Sequence, residues 1–422
     1  MFFDTRDSWA MGATRSGVGR EPVGNPACPR HDDDCMLDGH LHPDFGDLGG
    51  LLSKYLTSDD GYGGAFCVYH RGEKVVDVWG GRRDDTGSAW ESDTMAISFS
   101  TTKGVTATAL HVLAARGQVD IEAPVADYWP EFAQAGKQHV TVRHLLTHTA
   151  GLHRLRGLVD DAVELLDWEH MTALLARQPS NPPAGTAPGY HGITFGWLVG
   201  NVVRNVAGVS LSEFVQREIA DPLGLDGLYI GAPESQHHRV ARLQPPAQTL
   251  ENSRSARRLE RLVRRDSMRP MADALLVDGL AELLREERSY SAAMPAVNGI
   301  FTARSLARMY AALGAGGEID GTRIMSSEQA ALLPSLQVDA RDFVIMVNMK
   351  WRLGYHRPFA LARHTDGGFG HFGYGGSGAW ADPESEFAVG FVTNDNTGAS
   401  TPFADLRLVR LGGLALRLAR RR

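Results

Sequence analysis

Ser100 and Lys103 are three residues apart in the segment Ser100-Thr101-Thr102-Lys103, where a helix is expected to start. Residues at this spacing lie on one helix face with Cβ atoms roughly 5 to 6 Å apart, so their side chains can share a hydrogen bond. A serine hydroxyl becomes a strong nucleophile only when a nearby base takes its proton. The two residues are therefore a candidate nucleophile and base for acyl transfer.

Lys103 can act as a base only if its pKa is lowered, because a lysine with the usual pKa of about 10.4 is almost fully protonated at pH 7. Burial or neighbouring positive charge would lower it. A helix N-terminus would also help, since its dipole disfavours the ammonium and its N–H groups can bind an oxyanion. The tetrapeptide alone fits equally well a helix cap at Ser100 followed by a solvated lysine.

The surrounding sequence favours the chemical interpretation. Of the five lysines in the chain, only Lys103 has a serine three residues before it. Apolar residues then recur at helical spacing as far as Arg116-Gly117, where the helix is expected to end. Ser100 therefore occupies the N-cap position of a predicted helix.

Two further segments place polar side chains next to regular elements. In Pro188–Gly200 (PGYHGITFGWLVG), a glycine-rich turn presents Tyr190 just before an apolar helical run. In Phe369–Ser377 (FGHFGYGGS), a histidine lies among glycines, and strand-like segments follow at Gly378–Ala381 and Phe387–Val392. The second pattern predicts an edge strand with its hairpin beside the candidate site.

Together these segments resemble the serine beta-lactamase-like superfamily, which includes class C beta-lactamases, D-alanyl-D-alanine carboxypeptidases and family VIII carboxylesterases. The resemblance implies that Ser100 is the nucleophile, Lys103 its SxxK partner and Tyr190 the tyrosine of the second motif. It extends from about Asp44 to Asn394 and includes, in order, Gly64–Gly81, Thr141–Leu152 and Asn298–Leu313.

The resemblance also implies roles for the edge strand. His371-Phe372-Gly373 corresponds to the family's lysine-threonine-glycine motif, so His371 and Gly373 are expected to bind substrate. The backbone N–H groups of Ser100 and Tyr374 are expected to form the oxyanion hole. Whether Lys103 or Tyr190 is the general base stays open at this point.

Two departures from the family pattern narrow the function. Gly192 stands where the lactamases and peptidases carry the asparagine of a tyrosine-x-asparagine motif, and His371 replaces a lysine that would anchor a substrate carboxylate. Both changes are typical of the family's esterases, which predicts a serine carboxylesterase acting on small, neutral esters, with transacylation as a related activity. The alternatives are a beta-lactamase or D-amino-acid carboxypeptidase, and a binding-only descendant. Intact Ser100, Lys103 and Tyr190 argue against the last.

The resemblance implies an α+β fold with an antiparallel sheet flanked by helices. Residues 41–117 and 296–422 are expected to form the sheet-containing part, and residues 118–295 a mostly helical part, with the site in the crevice between them. Apolar segments predict strands at Ala65–Tyr69, Lys74–Trp79 and Phe343–Trp351. Residues 1–40, rich in Gly, Pro, Asp and Arg, are expected to be a disordered leader.

Other histidine, cysteine and serine motifs are weaker candidates for metal binding or catalysis. His144 and His148 are four residues apart, but no glutamate follows His144 and no third ligand is evident, so neither a metal site nor a cofactor is predicted. The Cys28–Cys35 segment has no recognised ligand spacing. Ser377 in GGSGA lacks the final glycine of a nucleophile elbow and is predicted to be structural.

Composition fits a large soluble enzyme: 422 residues, 43% hydrophobic, 22% charged and a formal net charge of −7. The acidity argues against nucleic acid as a partner. The basic run Arg254–Arg269 is interpreted as a solvated helix or loop, or as a rim of the site. The tail Leu406–Arg422 is interpreted as a helix on the sheet, or as a weak membrane-surface contact.

Three features predict a cytoplasmic location. No stretch is long and apolar enough to span a membrane, and the first residues lack the apolar core of a signal peptide. The three cysteines, Cys28, Cys35 and Cys67, do not form an even disulfide framework, which fits a reducing compartment.

Overall fold

The computed structural model describes residues 37–57, 62–244, 268–360, 365–395 and 405–422. The expectations for Cys28–Cys35, for most of the leader and for nearly all of the basic run lie outside the described residues. None of the helices in the described ranges is long and apolar enough to cross a membrane.

A six-stranded antiparallel sheet forms the centre of the fold, in the order β1-β3-β2-β11-β10-β9. Side chains of β2 alternate between its two faces: Phe66 and Val68 enter one apolar core, and Cys67 and Tyr69 enter another. The strands are β1 Asp38–Leu41, β2 Gly63–His70, β3 Glu73–Gly81, β4 Ala96–Ile97, β5 Leu228–Tyr229, β6 Ile300–Phe301, β7 Glu318–Ile319, β8 Thr322–Arg323, β9 Phe369–Phe372, β10 Gly378–Asp382 and β11 Phe387–Thr393.

The folded part begins earlier than the expected boundary at residue 40. Strand β1 pairs with β3 from Asp38 opposite Trp79 to Leu41 opposite Val76, so the end of the predicted leader is already part of the sheet. The sequence DGHL has no alternation of apolar residues to reveal it. This strand is held by backbone hydrogen bonds along the edge of β3 rather than by a buried apolar face.

Helices cover both faces of the sheet and form most of the region between β4 and β6. The predicted α+β class is confirmed. The helices are α1 Gly49–Leu56, α2 Thr102–Ala115, α3 Val142–Leu146, α4 Trp168–Arg177, α5 Phe195–Ala207, α6 Leu211–Val215, α7 Asp221–Leu223, α8 Arg269–Leu275, α9 Leu280–Leu283, α10 Arg288–Ser291, α11 Ala303–Gly314, α12 Ser327–Leu332 and α13 Arg407–Ala419.

Helix α2 is buried on every side, from Thr102 to Leu113. Its small residues allow neighbours to approach closely; at Gly104, a Cβ atom would overlap the Tyr310 hydroxyl from α11. The helix packs between α5 and the sheet-side helix α11. It therefore carries its first turn, and the residues on it, into the crevice between the two parts of the fold.

The strand predicted at Phe343–Trp351 is wrong. The N–H groups of Val344 and Ile345 donate to the Asp342 carboxylate instead of to a neighbouring strand. Met346 has φ +64, a left-handed backbone conformation that interrupts an extended chain. Four apolar residues of this segment are nevertheless buried in one cluster with Tyr190: Val344, Ile345, Met349 and Trp351.

The C-terminal helix α13 packs on the sheet, with Leu408, Leu411 and Leu416 buried against it. Its leucine face is therefore covered by protein. Of its terminal arginines, Arg420 pairs with Asp382 and Arg422 pairs with Glu73 and Asp44. These contacts fasten the end of the chain to β10, β3 and the segment after β1.

Arg407, at the start of α13, connects this helix to the turn after β9. Its guanidinium pairs with Asp395 at 2.6 Å and with Asp405 at 2.6 Å, and Nη2 donates to the Gly375 carbonyl at 2.7 Å. The three charged side chains are at most 15% exposed. Removing the guanidinium would leave these two carboxylates in a largely buried position without the cation that neutralises them.

Arg407→Ala should lower the free energy of unfolding by about 3 to 5 kcal/mol, the usual cost of removing one partner of a buried ion pair. Urea denaturation followed by tryptophan fluorescence measures this change. Arg410→Ala is the matched control, because Arg410 lies on the same helix and its guanidinium donates to the Tyr55 hydroxyl at the surface; its effect should stay below about 1 kcal/mol. Equal losses of stability in the two variants would contradict a special role for the buried Arg407 ion pairs.

Candidate active site

Ser100 lies in a tight 3₁₀ turn, Phe99–Thr101, that leads directly into α2. Phe99 adopts φ +45, an unusual value for a bulky residue, and this sharp turn presents the next side chain. The expected N-cap position is wrong, because α2 starts at Thr102 with Thr101 as its N-cap, and Ser100 lies within the turn before it. Its Oγ instead meets two other polar side chains.

Lys103 is the first of these partners. Its Nζ lies 3.0 Å from Ser100 Oγ, 2.6 Å from the Gly192 carbonyl and 3.0 Å from the Ala296 carbonyl. Burial lowers the pKa of this lysine well below its usual value. A neutral amine has two N–H groups, which match the two carbonyls, and one lone pair, which then faces the serine hydroxyl.

Tyr190 is the second partner. Its hydroxyl donates to Ser100 Oγ at 2.8 Å, and Lys103 Nζ lies 4.9 Å above its ring. Burial raises the pKa of Tyr190 above its usual value, so the side chain stays a neutral phenol. The structure thus brings together the three predicted residues, with an amine suited to accept a proton and a phenol suited to donate one.

A buried aromatic environment holds the Tyr190 ring in place. The Trp351 ring stacks on it with a centroid distance of 5.6 Å and an interplanar angle of 9°, and His148 meets its edge at 5.0 Å. The Tyr190 N–H donates to the Asp342 carboxylate. Sequence reasoning missed Asp342 and Trp351, because Trp351 belongs to the segment that was interpreted as a strand and Asp342 immediately precedes that segment.

His144 and His148, the two histidines spaced four residues apart, make different hydrogen bonds. His144 Nδ1 accepts the Thr141 N–H at the start of α3, whereas His148 Nδ1 lies 3.2 Å from Nδ1 of His191. His191 Nε2 accepts the Leu152 N–H. Burial lowers the pKa of His148 and of His191 well below the usual value, so both rings remain neutral beneath Tyr190.

His371 lies on the edge strand β9, and its ring is 6.3 Å from the Tyr190 ring. Its Nδ1 donates to the Phe372 carbonyl at 3.0 Å, so its Nε2 offers a lone pair, and no described residue bonds to it. Burial, helped by His356 and Lys103, lowers the pKa of His371 well below its usual value. The position at which the family motif carries a charged lysine therefore holds a neutral histidine in this chain.

Gly373 and Tyr374 lie against the turn that carries the serine. A Cβ atom on Gly373 would overlap the Ser98 carbonyl, so only glycine allows this approach of the two backbones. The rings of Phe99 and Tyr374 meet at 5.5 Å. This contact brings together the two segments expected to form the oxyanion hole, and the roles of the Ser100 and Tyr374 N–H groups remain predictions.

Gly192 faces an apolar wall instead of carrying an amide. A Cβ atom on Gly192 would overlap Leu275 Cδ2, so the leucine of α8 fills the space that a side chain at position 192 would need. Leu275 is partly exposed and packs with Tyr190 and Trp351 in one apolar cluster. Sequence reasoning noticed the missing asparagine but could not identify this replacement, which comes from 83 positions later in the numbering.

The Beta-lactamase family model matches residues 50–414. The chain belongs to the beta-lactamase family. The esterase/beta-lactamase LipL of Mycobacterium tuberculosis (strain ATCC 25618 / H37Rv) is 41% identical over 344 residues, which cover 79% of this chain and 77% of LipL. The predicted resemblance is thereby confirmed.

Two solved members of this fold are also similar over most of the chain. The crystal structure of a family VIII carboxylesterase has a TM-score of 0.79 and 34% identity, covering 92% of this chain and 99% of that one. A penicillin-binding protein homologue from Caulobacter crescentus has a TM-score of 0.79 and 31% identity, covering 91% and 100%. A carboxylesterase and a penicillin-binding protein homologue thus share this scaffold.

The pH dependence of kcat/KM should show the lowered pKa of Lys103. Activity should rise as the amine loses its proton and reach a plateau well below pH 10.4, the approximate pKa of a free lysine. It should then stay level to about pH 10, because Tyr190 keeps its proton there. Initial rates with a p-nitrophenyl ester between pH 5 and 10, corrected for spontaneous hydrolysis, measure this. A continuous rise to pH 10 would contradict it.

Proposed function

We propose that this protein is a serine carboxylesterase that hydrolyses small, neutral esters through an acyl-enzyme on Ser100. The observation that carries the proposal is the position of Ser100 Oγ, 3.0 Å from Lys103 Nζ and 2.8 Å from the Tyr190 hydroxyl. A nucleophile, a neutral base and a neutral acid thus meet at one atom. We further propose a cytoplasmic location, in keeping with the unpaired, buried thiol of Cys67.

In the acylation step, Lys103 takes the hydroxyl proton while Ser100 Oγ attacks the ester carbonyl carbon. The carbonyl oxygen becomes an oxyanion, which the backbone N–H groups of Ser100 and Tyr374 would stabilise. The bond to the alcohol oxygen then breaks, and Tyr190 donates its proton to that oxygen. The Lys103 ammonium returns a proton to Tyr190, so the amine and the phenol are both restored.

Deacylation repeats these steps with water as the nucleophile. Water attacks the acyl carbon and gives a proton to Lys103, and the bond to Ser100 Oγ breaks. The serine oxygen regains a proton from Tyr190, the Lys103 ammonium returns its proton to Tyr190, and the acid product leaves. An alcohol in place of water would give a new ester, which is the transacylase variant of the same reaction.

Two features of the cleft favour esters over beta-lactams and peptides. Neutral His371 supplies no fixed positive charge for a substrate carboxylate, and it presents a hydrogen-bond acceptor instead. Leu275 replaces the amide that would bind a polar acyl side chain. Both features suit an uncharged, apolar substituent next to the reacting carbonyl.

A beta-lactamase is the second candidate. The relative LipL carries both names, esterase and beta-lactamase, and an acyl-enzyme on serine serves both reactions. A beta-lactam carries a carboxylate, and the cleft lacks a fixed cation at position 371. We therefore expect any lactam turnover to be slow compared with ester turnover.

A substrate panel tests the proposal directly. Wild type should hydrolyse p-nitrophenyl esters of short to medium acyl length and hydrolyse nitrocefin much more slowly. Ser100→Ala should lower ester turnover by about 10⁴- to 10⁶-fold, because the nucleophile is lost. Stopped-flow absorbance with both substrates gives the comparison. Faster nitrocefin turnover would favour the lactamase, and ester turnover retained in Ser100→Ala would exclude Ser100 as the nucleophile.

Leu275→Ala should change the choice of substrate more than the chemistry. Removing the apolar wall should lower kcat/KM for medium acyl chains by about 10-fold, the effect of losing one to two methylene contacts, while an acetyl ester changes little. Leu276→Ala is the matched control, because Leu276 is 47% exposed at the next position. The same loss for every acyl length in Leu275→Ala would contradict a specificity role.

A further inference from the structure

We propose that Asp342 is the positioning residue for Tyr190, holding the tyrosine backbone directly and its ring through Trp351. This inference rests on the proposed role of Tyr190 as the proton donor at Ser100. Asp342 is fully buried and belongs to a segment with no recognised motif. Its side chain does not touch Ser100 in the hydrogen-bond network; it acts on the residue that does.

One oxygen of the carboxylate organises the backbone around Tyr190. Asp342 Oδ1 accepts the Tyr190 N–H at 3.1 Å, the Val344 N–H at 2.9 Å and the Ile345 N–H at 3.0 Å. The adjacent Phe343 N–H donates to the Pro188 carbonyl at 3.0 Å. The chain is thus bound to the 342–345 turn at two points, the Pro188 carbonyl and the Tyr190 N–H.

The other oxygen reaches the ring that stacks on Tyr190. Asp342 Oδ2 accepts the indole N–H of Trp351 at 3.3 Å, and the Trp351 ring lies nearly parallel to the tyrosine ring. Trp351 is itself fixed by backbone bridges to Val338 and His356. A single carboxylate therefore sets both the backbone position and the ring plane of Tyr190.

This control matters because the phenol must keep a 2.8 Å contact with Ser100 Oγ. A shift of about 1 Å in a reacting group can lower a rate by about 10²-fold without changing substrate affinity. The tyrosine hydroxyl is at the far end of its side chain, so a small rotation at the backbone moves it further than any other atom of the residue.

The surroundings explain why a carboxylate is used. Four N–H donors converge on Asp342 and no described cation pairs with it, so only a group that accepts at both oxygens satisfies them all. Asparagine would keep the three backbone bonds but present its own N–H group to the Trp351 indole. Asp342→Asn therefore alters the contact with Trp351 selectively.

The carboxylate is held at a cost in stability. Burial raises the pKa of Asp342 to about 6, above the unfolded value of about 3.9. Protonation of this carboxyl therefore stabilises the fold at low pH, and that contribution to stability is lost as the pH rises through about 6. Around it, burial lowers the pKa of His148 and His153, and exposed Arg341 donates to the Met346 carbonyl. At pH 8, asparagine should therefore not destabilise the fold through charge.

The experiment compares steady-state kinetics of wild type and Asp342→Asn at pH 8 with a p-nitrophenyl ester. We expect kcat to fall by about 10- to 100-fold while KM stays within about twofold, because the acid is displaced and the substrate pocket is kept. The thermal midpoint should stay within about 4 °C of wild type. A kcat equal to wild type, or a rise in KM that accounts for the whole loss, would overturn the inference.

Asp339→Asn is the matched control. Asp339 lies in the same segment, is half exposed, and contacts Asn348 and Lys350 rather than the site. Its kcat should equal that of wild type. If Asp339→Asn lowered kcat as much as Asp342→Asn, the effect would belong to the segment as a whole, and the positioning role would be excluded.

Trp351→Phe tests the route through the indole and also decides the matter if Asp342→Asn does not fold. Removing the N–H while keeping a ring should lower kcat by roughly 2- to 10-fold, the effect of one hydrogen bond. In the double variant, asparagine faces no indole donor, so its kcat should be no lower than that of Asp342→Asn. An unchanged kcat in Trp351→Phe, or fully additive losses, would overturn the route.

Labelling of Ser100 by a fluorophosphonate probe separates this inference from the proposed function. If wild type neither hydrolyses esters nor is labelled, the proposed function fails and the positioning role fails with it. If wild type is labelled and Ser100→Ala is not, the nucleophile stands. Because fluoride leaves without needing a proton, labelling reports the serine and its base rather than the acid. Asp342→Asn should therefore be labelled at close to the wild-type rate although its kcat for esters is lower, and a loss of labelling as large as the loss of kcat would exclude the positioning role.

Discussion

The burial of Lys103 without a carboxylate partner among the described residues is the constraint on which the site depends. An ammonium in that position would lie in an apolar interior with only two carbonyls and a hydroxyl to stabilise it. The fold therefore favours the neutral amine, the form that the proposed mechanism needs as a base, inside α2, a helix buried on all sides. A solvated lysine at the same spacing would be protonated and could not take the serine proton.

The same burial removes charge from the rest of the cleft. Burial lowers the pKa values of five histidines in this region, so the crevice around Ser100 is polar but close to neutral. They are His148, His153, His191, His356 and His371. An added cation would make Lys103 easier to deprotonate but would also attract anionic substrates. An apolar wall at Leu275 completes a site suited to uncharged esters.

Local motifs made the main residues of the site predictable. The SxxK spacing, the turn before Tyr190 and the glycines around His371 are all short patterns, and the family resemblance joined them. The contacts that hold them are between residues far apart in sequence, such as Asp342 with Tyr190 at a separation of 152 residues. The Phe343–Trp351 segment looked like a strand because it is rich in apolar residues, and an apolar run alone does not distinguish a strand from a turn folded around a carboxylate.

Arg407 ties the surroundings of Ser100 to a helix about 300 residues later in the sequence. Strand β2 pairs with β11, and the Gly375 carbonyl beside Tyr374 accepts a hydrogen bond from a side chain of α13. During synthesis, Ser100 and Lys103 therefore leave the ribosome long before the strand and helix that complete their surroundings. In the proposed mechanism, acyl transfer must wait until residues 387–419 have been made.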